Sequence, residues 1–171
     1  MRLLLSIIDT LDDELSYQDA LKDDRMKSIK TWQWLGFAGL LPFIILSVLA
    51  FNHSLLAPEH TILGFVSYSA IILSFVAGSL WGKAVILTLD DNIAKLLIIS
   101  NIIALASWIA LLTPFVLSAL ILLASGHLYL LYVEFKAKQL STTNGYLTLR
   151  TILTSVAVTC HVVVMLSLLG V

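Results

Sequence analysis

The chain has 171 residues, 59% of them apolar and only 12% charged, where a soluble domain carries roughly a quarter charged residues. Ten basic and eleven acidic residues leave a formal charge of -1 and no basic patch, which argues against nucleic acid as a partner. The single cysteine, Cys160, excludes an intrachain disulfide.

Residues 1–31 read as an acidic cytoplasmic leader. Leu4, Ile8, Leu11 and Leu15 recur at helical spacing with acids on the other face, and Ser16 with Asp19 forms a capping box that opens a second short helix toward Ile29. The leader is either a docking helix or a solvated segment with one apolar face. Leu3 to Ile8 is too short for a secretory h-region, and the seven carboxylates between residues 9 and 24 are foreign to a mitochondrial presequence. The first apolar run therefore serves as an uncleaved insertion signal, which points to a bacterial cytoplasmic (inner) membrane.

Residues 32–171 read as one all-α membrane domain, a bundle of five transmembrane helices. The spans are 35–51, 62–81, 96–112, 115–133 and 151–170, each near the ~20 residues that cross a ~30 Å hydrocarbon core. None holds a Lys, Arg, Asp or Glu. Segment by segment from the N-terminus, the basic residues number five, none, two, none, three and none. The positive-inside rule then sets the N-terminus inside and the C-terminus outside.

In the first span Pro42 removes a backbone donor and frees the carbonyl of Ala38, so a kink or a compensating contact is expected there, facing protein. The second span carries a stripe of small residues, Gly64, Ser67, Ser74, Gly78 and Gly82, whose spacing predicts a helix-packing seam. Thr113-Pro114 leaves room only for a tight hairpin between the third and fourth spans. Trp32, Trp34, Trp81, Tyr129 and Tyr132 suit the inner headgroup layer and Trp108 the outer one.

The runs Leu35-Gly36, Gly39-Leu40, Pro42-Phe43, Tyr68, Ile72-Leu73-Ser74-Phe75, Gly78 and Trp81-Gly82, with Trp108, Tyr146, Leu149-Arg150 and Leu153-Thr154, resemble the transmembrane protein 69 family. These are small bacterial and mitochondrial inner-membrane proteins with a domain of unknown function. The resemblance covers roughly residues 33 to 165. It implies five spans and an unassigned activity, and brings no catalytic residues. Leu80 stands where that family often has His before the Trp-Gly pair, which removes the most plausible chemical group from the motif.

Three groups of residues are candidate sites. His127 and His161 are ionisable groups inside the fourth and fifth spans, at depths differing by roughly 7 Å; they could ligate a haem or metal, relay a proton, or simply bond to neighbouring backbone. Lys83, Glu134 and Arg150 fall at the inner rim, with Arg150 opening the fifth span. They could hold an anionic headgroup or substrate phosphate, or serve as snorkelling anchors. Tyr68 adds a hydroxyl that could line a polar cavity. His53, Glu59 and His60 in the outer link follow no metal-ligand spacing.

No Ser-His-Asp, HExxH or Gly-rich phosphate motif occurs, so the expectation is a protein that is not an enzyme and needs no cofactor. An accessory or assembly component of a membrane complex leads. The alternatives are a carrier or channel for a small or lipidic ligand, and an intramembrane haem or metal protein. The expected partners are the lipid bilayer and possible membrane subunits.

Overall fold

The computed structural model describes residues 14, 17, 18, 21, 26, 31, 33–51, 57–86, 93–137 and 145–170. The chain divides into two compact units, Met1–Ala38 and Gly39–Val171. In the first, every described residue is helical, and Tyr17, Leu21, Met26 and Trp34 are exposed. The amphipathic run over 4–15 and the capping box at Ser16 and Asp19 lie outside the described residues, save for Glu14.

Among the described residues the second unit has five helices: α1 (Leu41–Phe51), α2 (Pro58–Ile86), α3 (Ile93–Leu112), α4 (Val116–Lys136) and α5 (Tyr146–Leu168). There is no strand among the described residues. Among the described residues five stretches are long and apolar enough to cross a membrane: Gln33–Phe51, Glu59–Ile86, Ile93–Leu112, Val116–Lys136 and Tyr146–Leu168. This is a multi-pass membrane protein. Their outer faces are apolar, as Leu63, Ile71 and Phe75 on α2, Ile98, Ile102 and Leu105 on α3, and Ile121 and Leu128 on α4 show. The buried polar side chains lie inside. Such a bundle coheres by close packing and interhelical hydrogen bonds, because lipid tails are as apolar as its own core.

α2 is the central helix, packed on α1, α3 and α4, while α5 closes the ring against α4 and α1. Its buried face is Phe65, Ser69, Leu73, Ala77, Leu80 and Ala84. That face is offset from the small-residue stripe, which corrects the predicted seam. Gly78 is exposed, and neither Gly78 nor Gly82 has any atom within 4 Å of the place a side chain would take. Gly64 alone of those glycines meets a neighbour, Leu46, at an ordinary 3.6 Å. The tight approach is instead at Gly126 of α4, where a Cβ would stand 2.6 Å from Leu73 Cδ2. The stripe misleads because its spacing selects one helix face without saying which face is inside.

The first span also departs from expectation. The helical geometry is interrupted by a turn at Gly39 and Leu40, so Pro42 occupies the first turn of α1, where its missing N–H costs little. The Tyr68 hydroxyl donates at 2.8 Å to the carbonyl of Gly39 rather than to that of Ala38, so it is a separate tie between α2 and the start of α1.

The hairpin between α3 and α4 is as short as Thr113-Pro114 requires. The fifth helix starts five residues earlier than its apolar run. Gly145, with φ 86°, turns the chain into it, and Tyr146, Leu147 and Leu149 carry helix before the first charge. Arg150 is therefore a full turn inside the helix rather than its first residue.

Candidate functional site

On α4 the buried positions Leu120, Leu123, His127, Leu130 and Glu134 repeat at alternating steps of three and four, and on α5 Arg150, Thr154, Ala157, His161 and Val164 do the same. This is the period at which one helix face stays against a neighbour. It places two polar layers in the bundle, one at the end where α2 and α4 finish and α5 begins, the other deeper.

The layer at the end centres on Glu134. Its Oε2 accepts from Arg150 Nε at 2.7 Å and its Oε1 from the Tyr146 hydroxyl at 2.7 Å. Lys83 Nζ stands 3.8 Å from Oε1 and 3.6 Å above the Tyr146 ring. The Glu134 and Arg150 side chains are only 3% and 10% exposed, that of Lys83 28%. The fit is uneven. Arg150 Nη2 and the Thr154 hydroxyl are buried without any hydrogen-bond partner. Several helical hydroxyls among the described residues bond back to a carbonyl three or four residues earlier, as Thr151 does to Leu147, Thr159 to Ser155 and Ser107 to Ile103. Thr154 makes no such bond.

The deeper layer is Ser69 of α2 between two imidazoles. Ser69 Oγ lies 2.8 Å from His161 Nε2 and 3.3 Å from His127 Nε2, and His161 Nδ1 lies 2.8 Å from the Ala157 carbonyl. A carbonyl only accepts, so His161 carries its proton on Nδ1. With the ring neutral, His161 Nε2 then accepts from the Ser69 hydroxyl, and Ser69 Oγ accepts from an Nε2–H on His127. The triad is a directed chain that ends on a carbonyl, which takes no proton. Phe43 and Phe65 pack edge-on or tilted against the rings, with Phe65 4.8 Å from His161 and Phe43 6.1 Å from His127.

Lys83, Glu134 and Arg150 come together, and His127 and His161 meet despite their different depths, ring centroids 5.7 Å apart. Tyr68 does not join the rim group. It lies fifteen residues from Lys83 on one helix, about 22 Å at 1.5 Å per residue, against Phe43 at 5.0 Å. The histidines fit a haem or metal poorly. Both nitrogens of His161 are engaged, and Ser69 Oγ occupies the point on which the two Nε2 atoms converge. No group of three or more His, Cys, Asp or Glu suited to a metal ion occurs among the described residues. Glu59 and His60 are exposed, and His53 lies outside the described residues.

Sequence reasoning passed over Tyr146, Thr154 and Gly126 as site or packing residues. The alternating three-and-four register through Glu134 and His127, and through Arg150 and His161, was the signal that could have found Thr154.

A family model described as a protein of unknown function, DUF3429, matches residues 28–166. The chain belongs to the DUF3429 family. Both polar layers and Gly126 fall inside the matched DUF3429 region, and most of the acidic leader falls outside it. No curated protein matches the chain, and no solved structure matches it.

Proposed function

We propose that this DUF3429 protein is a non-enzymatic protein of the bacterial inner membrane that holds a small or lipidic ligand at the polar end of its bundle. One observation carries the reading: Arg150 Nη2 and Thr154 Oγ1 are buried beside an otherwise well-bonded cluster and have no protein partner. Buried donors left unpaired cost free energy, and a ligand supplies the missing acceptors.

The non-enzymatic part rests on the triad. Ser69 and His161 are fully buried, and Ser69 Oγ is held between two imidazoles. Its neighbours in mid-helix have their N–H groups committed to the helix, so no donor pair is offered to an oxyanion. The orientation follows the basic residues. Lys83, Lys136 and Arg150 belong to the end of the bundle around Glu134, and the positive-inside rule turns that end to the cytoplasm, with the N-terminus inside and the C-terminus outside. Kinship with the transmembrane protein 69 proteins is the finer relationship within this reading.

A role as an assembly component is the second reading, favoured by the open stripe around Gly78 and Gly82 on the outside of α2, a kind of surface on which a second membrane helix packs closely. Native mass spectrometry of the protein purified from membranes in mild detergent separates the two. A small molecule or lipid retained at one per chain supports the ligand-binding reading. A stoichiometric membrane protein with no ligand transfers the conclusion to assembly. Reporter fusions test the orientation: alkaline phosphatase joined within 138–144 is expected to be inactive, and joined at the C-terminus active.

A further inference from the structure

We propose that the ligand is recognised through a phosphate group, held by Arg150, Thr154 and Lys83. This deepens the ligand-binding reading above and rests on it.

The first argument is charge. Lys83 and Arg150 both reach one carboxylate, Glu134, which leaves one positive charge in excess in a layer nine-tenths buried at Arg150. An uncompensated charge in such surroundings is expensive, and an anion removes the cost where a neutral or cationic ligand does not. The second argument is donor type. Nη2 of a guanidinium can only donate, and the hydroxyl of Thr154, which makes no bond back to its own helix, has its proton available. Both atoms ask for acceptors.

The third argument is placement. Arg150 and Thr154 are one turn apart on the same buried face of α5. Glu134 takes only the Nε–H of the guanidinium, so the hydrogens of Nη2 remain for a second anion. Lys83 approaches from α2 and is the partly open member of the group, so it gives the route of access. A tetrahedral phosphate presents several acceptor oxygens to donors arriving from two helices. Two sources share this chemistry, the phosphodiester of an anionic phospholipid at the rim and a soluble phosphate.

The test uses the full chain, delipidated in detergent, with binding read by native mass spectrometry and by the shift in melting temperature. Phosphatidylglycerol and inorganic phosphate are the two probes, and diacylglycerol is the phosphate-free control. One phosphate-bearing molecule per chain is expected, with about tenfold weaker binding in Thr154→Val and in Arg150→Lys. Thr154→Val removes a buried hydroxyl that no protein group uses, so its melting temperature without probe is expected to be equal to or above that of the parent. Binding of phosphatidylglycerol alone names the lipid as the source, and binding of inorganic phosphate names the soluble group; both support the site. Binding that neither substitution weakens, or no phosphate binding at all, overturns it and leaves the two atoms bridged by water only. In that case a retained neutral ligand leaves the ligand-binding reading standing, whereas a chain with no retained ligand loses both.

Discussion

Leu73 of α2 stands where a side chain on Gly126 of α4 would have to go, its Cδ2 2.6 Å from the position of that absent Cβ. The glycine lets the two backbones approach, and Leu73, 1% exposed, fills the space gained. Gly126→Leu is therefore expected to destabilise the bundle by about 1–3 kcal/mol through overpacking. Gly126→Ala should cost less, since a leucine methyl can swing away. Leu73→Ala is expected to cost about 2–5 kcal/mol by leaving a cavity, while Gly78→Leu, into open surroundings, should stay within about 0.5 kcal/mol. Thermal unfolding in detergent ranks the four. A Gly78→Leu loss equal to that of Gly126→Leu would sink the assignment of the seam.

The Glu134 and Arg150 pair is buried enough to be costly when broken. Removing one partner strands the other charge, so Glu134→Leu and Arg150→Met are each expected to lose about 3–5 kcal/mol, and the double variant to recover most of it. Lys83→Ala, by contrast, touches a 3.8 Å contact of a partly open side chain and should cost under about 1 kcal/mol. A double-mutant cycle on chemical unfolding gives the coupling; additive losses for Glu134 and Arg150 would contradict the geometry.

Tyr68→Phe removes the donor to the Gly39 carbonyl and leaves that acceptor in an apolar setting. A loss of about 1–2 kcal/mol is expected, with faster amide hydrogen exchange confined to the first turn of α1. Unchanged exchange at Phe43 and Ile44 would mean that the turn at Gly39 and Leu40 holds itself.

The tautomers in the deeper layer can be observed directly. Nitrogen-15 spectra of the protein in lipid at neutral pH are expected to show His161 with its proton on Nδ1 and His127 with its proton on Nε2, each ring being assigned by correlation to its own backbone amide. The reverse pair would break the direction deduced from the Ala157 carbonyl. Ser69→Ala is expected to cost about 1–3 kcal/mol, since it leaves both rings short of a partner.

Much of this was readable from residues alone, because lipid imposes simple rules. Span number follows from apolar run length, and the gathering of Lys83, Glu134 and Arg150 at one end follows from where each sits relative to its run. What could not be read was rotation. A membrane helix is apolar all round, so the hydrophobic pattern that turns a soluble helix toward its core is missing. Gly78, in the predicted stripe, is exposed, whereas Leu73, outside that stripe, is buried. The start of α5 was missed for a related reason: Tyr146 to Leu149 are too few to register as part of a span, yet they place Arg150 one turn inside, where it can reach Glu134 side-on.

Ser69 is bonded to α4 and α5 at once, and it sits fourteen residues before Lys83 on α2, about 21 Å along the axis. Sliding α2 by one 5.4 Å turn would sever both Ser69 bonds. The hydroxyl therefore fixes the register of α2 along α4 and α5, and with it the height at which Lys83 meets Glu134.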